Sequence, residues 1–167
     1  VTYVQVAAGG DHSAAVRSDG WFVRWGARTA FDPPPPGLRF VEVATSYRDL
    51  VIRLSDGTAL SSVCTVCVPQ LPPGLRYVEI AAGQQHFLAR RNDGSVIAWG
   101  RNDFGQCNVP ALPLGVTYVE IAGGKDHSVA RRSDGSVVAW GANGYSQLAV
   151  PALAPGSAMV QLSSGVN

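Results

Sequence analysis

Tyr77-Val78-Glu79-Ile80-Ala81-Ala82-Gly83 opens a stretch that runs through His86, Asp93-Gly94, Val96-Ile97-Ala98-Trp99-Gly100, Asn102 and Gln106 to Val109-Pro110. The same order of residues returns at Tyr118-Val119-Glu120-Ile121-Ala122-Gly123-Gly124 and passes through His127, Asp134-Gly135, Val137-Val138-Ala139-Trp140-Gly141, Asn143 and Gln147 to Val150-Pro151. The two starts lie 41 residues apart, a period that marks tandem structural units.

The register extends both ways. Phe40-Val41-Glu42-Val43 opens a unit 37 residues before Tyr77, and Tyr3-Val4-Gln5-Val6 opens another 37 residues before that. Met159-Val160-Gln161-Leu162 begins a fifth. The chain divides into units at 3–39, 40–76, 77–117 and 118–158, with an orphan first strand over 159–167. It begins inside a repeat without an initiator Met, which reads as a mature, trimmed or excised piece.

Each unit reads as four short strands. In the third, Tyr77 to Ala82 alternates apolar and polar residues, as a half-buried strand does. Gly83-Gln84-Gln85 is a turn, and His86 to Arg91 is a second strand. Asn92-Asp93-Gly94 is a hairpin signal, because glycine accepts positive φ at little cost. Ser95 to Trp99 is a β-branched and aromatic third strand. Gln106 to Val109 is expected as a fourth, stopped by Pro110, which cannot donate to a ladder. No segment has helical periodicity. Four antiparallel strands per repeat of this length predict an all-β chain of propeller blades.

The first two units depart from the pattern. Unit 1 keeps Trp25-Gly26 but replaces its fourth strand with Asp32-Pro33-Pro34-Pro35-Pro36-Gly37. Unit 2 has Asp49 in place of the histidine and Ser62-Val63 in place of Trp-Gly. These two units are expected to be specialised or poorly packed.

The motif resembles the regulator-of-chromosome-condensation propeller repeats, and most nearly the bacterial branch that includes the propeller-type β-lactamase inhibitors. The residues that carry the likeness are the Ala-Ala-Gly turns at 7–9 and 81–83, the pairs His12-Ser13 and His127-Ser128, the Asp-Gly turns, and Trp-Gly-x-Asn-x-x-x-Gln-x-x-Val-Pro at Trp99 to Pro110 and Trp140 to Pro151. The resemblance implies a bladed ring, usually of seven, and functions as varied as nucleotide exchange on a small GTPase, enzyme inhibition and scaffolding. It also favours a secreted or extracellular setting. The exchange factor's inserted hairpin has no counterpart here.

Composition narrows the function. With 46% hydrophobic residues, 15% charged and a formal net charge of +1, the chain is globular and calls for neither nucleic acid nor another polyanion as partner. No apolar run approaches a membrane span of about 20 residues. Cys64 and Cys67 form one C-x-x-C, and only Cys107 remains to join them. Free thiols, a local Cys64–Cys67 disulfide and a metal or redox site all stay open, the last needing a second pair to be convincing.

His12, His86 and His127 share one repeat position and would ring a propeller axis. Such a ring suits a metal, but the stronger reading is structural, with each imidazole satisfying groups near the preceding glycine turn. Trp25, Trp99 and Trp140 read as packing within or between blades. Arg17, Arg53, Arg90-Arg91 and Arg131-Arg132 form either a basic arc or cross-strand pairs with Glu42, Glu79 and Glu120, and near-zero net charge favours pairs. No nucleophile–base set stands out, so the chain is expected to be neither an enzyme nor dependent on a cofactor.

Binding is expected where the units differ, in loops on a rigid scaffold. Those loops hold Arg101-Asn102-Asp103-Phe104, Asn143, Tyr145, Gln84-Gln85 and Lys125-Asp126, with Phe104 and Tyr145 as candidate anchors. The expected partner is another protein or a second copy meeting the open blade edges. A part of a longer propeller, two chains closing a ring or running on as a fibre, and a closed four-blade ring are the three readings, the last the most strained.

Overall fold

The computed structural model describes residues 1–27, 31–62, 68–152, 159 and 161–163. Twelve strands occur among them, three per unit: β1 Tyr3–Ala8, β2 His12–Arg17 and β3 Phe22–Gly26; β4 Phe40–Thr45, β5 Leu50–Leu54 and β6 Ala59–Ser61; β7 Tyr77–Ala82, β8 His86–Arg91 and β9 Val96–Gly100; β10 Tyr118–Gly123, β11 His127–Arg132 and β12 Val137–Gly141. Each unit is one antiparallel sheet with its second strand in the middle. The hairpins turn on Gly20, Gly57, Gly94 and Gly135, all at φ between 79° and 85°. A register shift near the start of each first strand sets Gln5, Glu42, Glu79 and Glu120 opposite Val16, Arg53, Arg90 and Arg131.

The apolar core lies between sheets. Ala14 and Val16 of unit 1 pack on Phe40, Val43, Leu50, Ile52 and Leu54 of unit 2. Val51 and Ala44 of unit 2 pack with Tyr77, Ile80, Phe87 and Ala89 of unit 3. Leu88 and Val96 of unit 3 pack with Tyr118, Ile121, Ala130 and Trp140 of unit 4. A three-stranded sheet is stable only when its faces are covered, so consecutive units depend on each other. The arc is open: Tyr3 and Val6, on the free side of unit 1, are 64% and 70% exposed. The closed four-blade ring is thereby set aside.

Three expectations need correction. Gln106–Val109 is not a strand but a pair of turns, with Asn108 N–H donating to Gly105 O at 2.9 Å and Val109 N–H to Cys107 O at 3.0 Å. The Gln106 carbonyl is already taken by Ser128 Oγ at 2.8 Å and Trp140 Nε1 at 2.9 Å, so a ladder cannot use it. Unit 2 is not poorly packed: Leu50, Val51, Ile52 and Leu54 are fully buried, because neighbours cover both of its faces. Trp25 is not buried packing: no unit covers its side of the arc, and it is 51% exposed against 6% for Trp140.

Of the fifth unit, Leu162 N–H donates to Glu120 Oε1 at 2.8 Å, so it takes the place that Ile121 takes beside Glu79. Residues 159 and 161–163 are not in a strand. Cys64 and Cys67 lie outside the described residues.

Candidate functional site

The turn between first and second strands and the loop after the third strand leave each sheet at the same end. Backbone bonds tie them together within a unit, with Arg101 N–H donating to Gln85 O and Ala142 N–H to Asp126 O, both at 2.8 Å. Between units, the turns link in series. Gly10 N–H donates to Tyr47 O at 3.2 Å, Tyr47 N–H to Gln84 O at 3.0 Å, and Gln84 N–H to Gly124 O at 3.2 Å. All the candidate loops therefore share one face of the arc.

The histidines are internal to this face. His86 is fully buried and pairs through Nε2 with Ser128 Oγ of unit 4 at 2.9 Å. The expected backbone partners are thus replaced by a hydroxyl on the next blade. Burial pushes its pKa down to about 4, opposed by the Asp126 carboxylate and aided by His127, so the ring is neutral at pH 7. His12 bonds Asp11 at 3.0 Å through Nδ1 and leaves Nε2 unpartnered, because unit 2 offers Leu50 where unit 4 offers Ser128. His127 is half-buried. Among the described residues no three His, Cys, Asp or Glu side chains are gathered to hold a metal ion.

Each ring lies against its own turn. A Cβ on Gly83 would come within 2.0 Å of His86 Cε1, and one on Gly124 within 2.1 Å of His127 Cε1. Unit 2 carries Ser46 at this place and Asp49 in place of histidine, and the Ser46 hydroxyl instead accepts from Asp49 N–H at 3.0 Å.

The motif residues of the outer loops shape backbone. Gln106 Oε1 accepts from Phe104 N–H at 3.0 Å, and Gln147 Oε1 from Tyr145 N–H at 2.8 Å. Asn102 Oδ1 accepts from Cys107 N–H at 2.8 Å, and Asn143 Oδ1 from Leu148 N–H at 3.1 Å. Asn102 and Asn143 are exposed, but their carbonyls are committed to the loop. The result is presentation of the tip: Phe104 is half exposed and Tyr145 almost wholly so. Arg101 lies over the Phe104 ring at 5.6 Å, bonds Asp103 at 2.7 Å and faces Asp126 at 3.8 Å. The Asp103 carboxylate raises the pKa of the Arg101 guanidinium.

A cleft of about 550 Å³ opens between the turns of units 2 and 3, lined by Tyr47, Arg48, Asp49, Gln84, Gln85 and Arg101. Tyr47 fits there because Gly10 has no side chain; a Cβ at that position would meet the ring at 2.1 Å. The Arg48 guanidinium lies over Tyr47 at 5.8 Å. Tyr47 and Arg48 escaped the sequence reading. The signal was their divergence from Gly10-Asp11, Gln84-Gln85 and Lys125-Asp126 at the same repeat position. Lys125 is exposed and Asp126 half-buried on the same face.

Three of the six arginines pair with the glutamates as charge balance suggested. Arg53 bonds Glu42 at 2.6 Å, Arg90 bonds Glu79 at 2.7 Å and Arg131 bonds Glu120 at 2.9 Å. Arg17 pairs with Asp19, and Arg132 lies over the Tyr118 ring at 5.9 Å. Cys107 is free and half-buried; its Sγ donates to Arg101 O at 3.3 Å, and burial pushes its pKa up.

This geometry defines a β-propeller arc whose blades repeat one joint. A sequence model of the regulator of chromosome condensation (RCC1) repeat matches residues 77–106 and 118–147, so units 3 and 4 are RCC1-type repeats. The crystal structure of Prp20p from Saccharomyces cerevisiae, described with its binding properties to Gsp1p and histones, superposes with a TM-score of 0.82 at 20% identity, over 98% of this chain and 53% of that one. Yeast RCC1 (Prp20) bound to Kap60 superposes at 0.66 and 25% identity, over 83% and 42%. Human WBSCR16 superposes at 0.74 and 19% identity, over 98% and 56%. The chain spans about half the length of the solved structures it matches. No curated protein sequence matches it.

Proposed function

We propose that the chain is a non-catalytic protein-binding module, an arc of a larger RCC1-like propeller that binds through its turn-bearing face. One observation carries the reading. Repeated residues such as Tyr118, Ile121 and Trp140 pack into the joint between units 3 and 4, whereas Tyr47, Arg48, Gln84, Gln85 and Arg101, which differ between units, line one cleft between units 2 and 3. Exposed aromatics beside arginine, here Tyr47 with Arg48 and Phe104 with Arg101, are the residue types that anchor protein interfaces. The neighbour bound to Kap60 supports protein recognition by a propeller of this kind. The side-chain carbonyls of Asn102, Gln106, Asn143 and Gln147 and the turn amides of Gly10, Tyr47 and Gln84 are engaged within the protein, which leaves the other side chains of this face to read a partner.

The test is affinity capture with the chain as bait, followed by direct titration of the recovered partner. Phe104→Ala and Arg48→Ala are expected to weaken binding at least tenfold each, the effect typical of anchor residues at about 1.4 kcal/mol or more. Leu114→Lys, at a fully exposed position on the opposite face, leaves it unchanged. Binding that ignores the first two variants and responds to the third overturns the assignment. A captured enzyme that loses activity makes the chain an inhibitor; a captured non-enzyme makes it a scaffold.

A further inference from the structure

The outer loops of units 3 and 4 share one plan, but unit 4 leaves its asparagine half tethered. In unit 3, both ends of the Asn102 amide are held: Oδ1 accepts from Cys107 N–H at 2.8 Å, and Nδ2 donates to Asn108 Oδ1 at 2.9 Å. Asn143 keeps only the first of these bonds, with Leu148 N–H at 3.1 Å. Ala149 stands where Asn108 would hold its nitrogen, and among the described residues Asn143 Nδ2 makes no hydrogen bond. Ser146 accounts for the change. It takes the place of Gly105 and keeps the left-handed backbone of that position, at φ 61° against 80°. A Cβ on Gly105 would meet Asn108 Nδ2 at 3.2 Å, so the serine side chain crowds the space that a second asparagine needs. The loop is strained as well, because a non-glycine residue held in this region costs about 1 kcal/mol or more.

The half-tethered asparagine is followed by the least hindered backbone nitrogen available. Of Asn92, Asn102, Asn108 and Asn143, only Asn143 precedes a glycine. A Cβ on Gly144 would meet nothing within 4 Å. Among the described residues its N–H makes no hydrogen bond, whereas Gly20, Gly57, Gly94 and Gly135 of the Asp-Gly turns each donate theirs to a carbonyl three residues back, at 2.9 to 3.0 Å. Asn143 and Gly144 are both exposed. That exposure belongs to the loop and not to a missing neighbour, since Asn102, Asp103 and Phe104 are exposed with unit 4 packed beside unit 3.

We propose that Asn143-Gly144 is a site of spontaneous covalent modification, at which Asn143 loses ammonia and passes through a cyclic imide to aspartate and isoaspartate. The Gly144 nitrogen gives its proton to solvent base and bonds to Asn143 Cγ. The Cγ–Nδ2 bond breaks, and Nδ2 takes up a proton and leaves as ammonia. Water then adds to one of the two imide carbonyls. Opening at Cγ leaves aspartate in the original backbone. Opening at the Asn143 carbonyl carbon leaves a free α-carboxylate and a chain that runs on through Cγ. Water is the only co-reactant, and nothing is oxidised or reduced. To reach the attack geometry Asn143 gives up one hydrogen bond, to Leu148. Asn102 would give up two, and the side chain of Asp103 stands beside the nitrogen it would meet. Either product lowers the formal net charge of +1 by one unit. Aspartate still accepts from Leu148 N–H. Isoaspartate does not, because its Cγ now lies in the backbone, and the tip that carries Tyr145 is released. Loss of Tyr145 as an anchor, with Phe104 of unit 3 retained, follows on the binding-face reading; the chemistry itself does not rest on that reading.

Ageing the full chain in mildly alkaline buffer, with peptide mass spectrometry that separates isoaspartate from aspartate, tests it. Both products are expected at residue 143, forming faster as pH rises because the attacking nitrogen must lose its proton, while Asn102 stays intact over the same period. Gly144→Ala slows the reaction about tenfold or more, a barrier higher by about 1.4 kcal/mol. The double variant Ser146→Gly with Ala149→Asn rebuilds the unit 3 clamp without touching the reacting pair. It slows the reaction in the folded chain, whereas in urea it reacts at the wild-type rate, which separates the tether from the dipeptide. An Asn143 that survives in the folded wild type but deamidates in urea overturns the proposal, since the loop then protects the residue. Equal loss at Asn102 and Asn143, or a double variant that ages like wild type when folded, overturns it as well. None of these readouts uses a partner, so failure here is distinguishable from failure of the binding-face reading, which Phe104→Ala and Arg48→Ala judge.

Discussion

Glu79 and Ile121 are 42 residues apart and belong to different blades, yet the carboxylate of one accepts the backbone N–H of the other at 3.1 Å. The second oxygen of Glu79 holds Arg90 of its own sheet at 2.7 Å. The same fork recurs at Glu42 with Ile80 and Arg53, and at Glu120 with Leu162 and Arg131. Unit 1 runs it as an amide: Gln5 Oε1 accepts from Val43 N–H at 2.7 Å, and Val16 stands where the arginine would be. A glutamine at Glu79 would turn an amide N–H toward the Arg90 guanidinium. Glu79→Gln is expected to cost about 1–2 kcal/mol, and adding Arg90→Val to recover part of it by recreating the Gln5–Val16 pair. A double-mutant cycle in urea reads the coupling; strict additivity would refute the fork.

His86 makes the fold acid-sensitive. Its folded pKa of about 4 lies below the ordinary value of 6.5, so the unfolded chain binds the extra proton between those values. Stability is therefore complete above pH 6.5 and falls as pH drops toward 4, by up to roughly 3 kcal/mol. His86→Gln should flatten the profile in that window while lowering stability at pH 7. Denaturation midpoints of the two proteins from pH 4 to 8 decide it, and parallel profiles would remove His86 as the cause.

Gly83 is required by the ring beside it rather than by φ. Gly83→Ala places a methyl within 2.0 Å of the Cε1 of the fully buried His86 and within 2.4 Å of the Gly124 carbonyl oxygen. A loss of about 2 kcal/mol or more is expected. The double variant with His86→Asp mimics the Ser46–Asp49 arrangement and should lose less than the sum. Thermal melts of the three variants measure this.

Tyr118 and Tyr77 each reach back to a proline carbonyl, Pro110 at 2.7 Å and Pro69 at 2.6 Å. Tyr118→Phe keeps the packing and orphans one carbonyl, for a cost of about 1 kcal/mol. Tyr77→Phe should match it within error, because the two contacts are the same contact one repeat apart. A twofold disparity in measured loss would show that the joints are not equivalent.

Much of this was legible in the residues. The strands of units 3 and 4 appear where alternation and Asp-Gly placed them, and the Glu–Arg pairs follow from cross-strand registry. The fourth strand misled because Gln106–Val109 has strand-like composition, while its polar groups are spent on Phe104, Ser128 and Trp140. Trp25 misled because a repeat position fixes which way a side chain faces but not whether a neighbour is there to cover it. Tyr47 and Arg48 were passed over because they sit in the unit that matches the repeat least. Their place beside Gln84 and Arg101 depends on how adjacent blades pack, which alternation within one strand does not encode.

Unit 2 has given up the histidine, the tryptophan and the Asn–Gln loop of its neighbours, yet its middle strand is the most completely buried of the four. What holds it is the pair of sheets on either side. An interior repeat in such an arc is thereby released from keeping the signature that made it, provided its flanks keep theirs. Mutational drift is tolerated where support comes from both sides. New surface chemistry is accordingly expected to accumulate in interior blades, as the Tyr47–Arg48 turn already has.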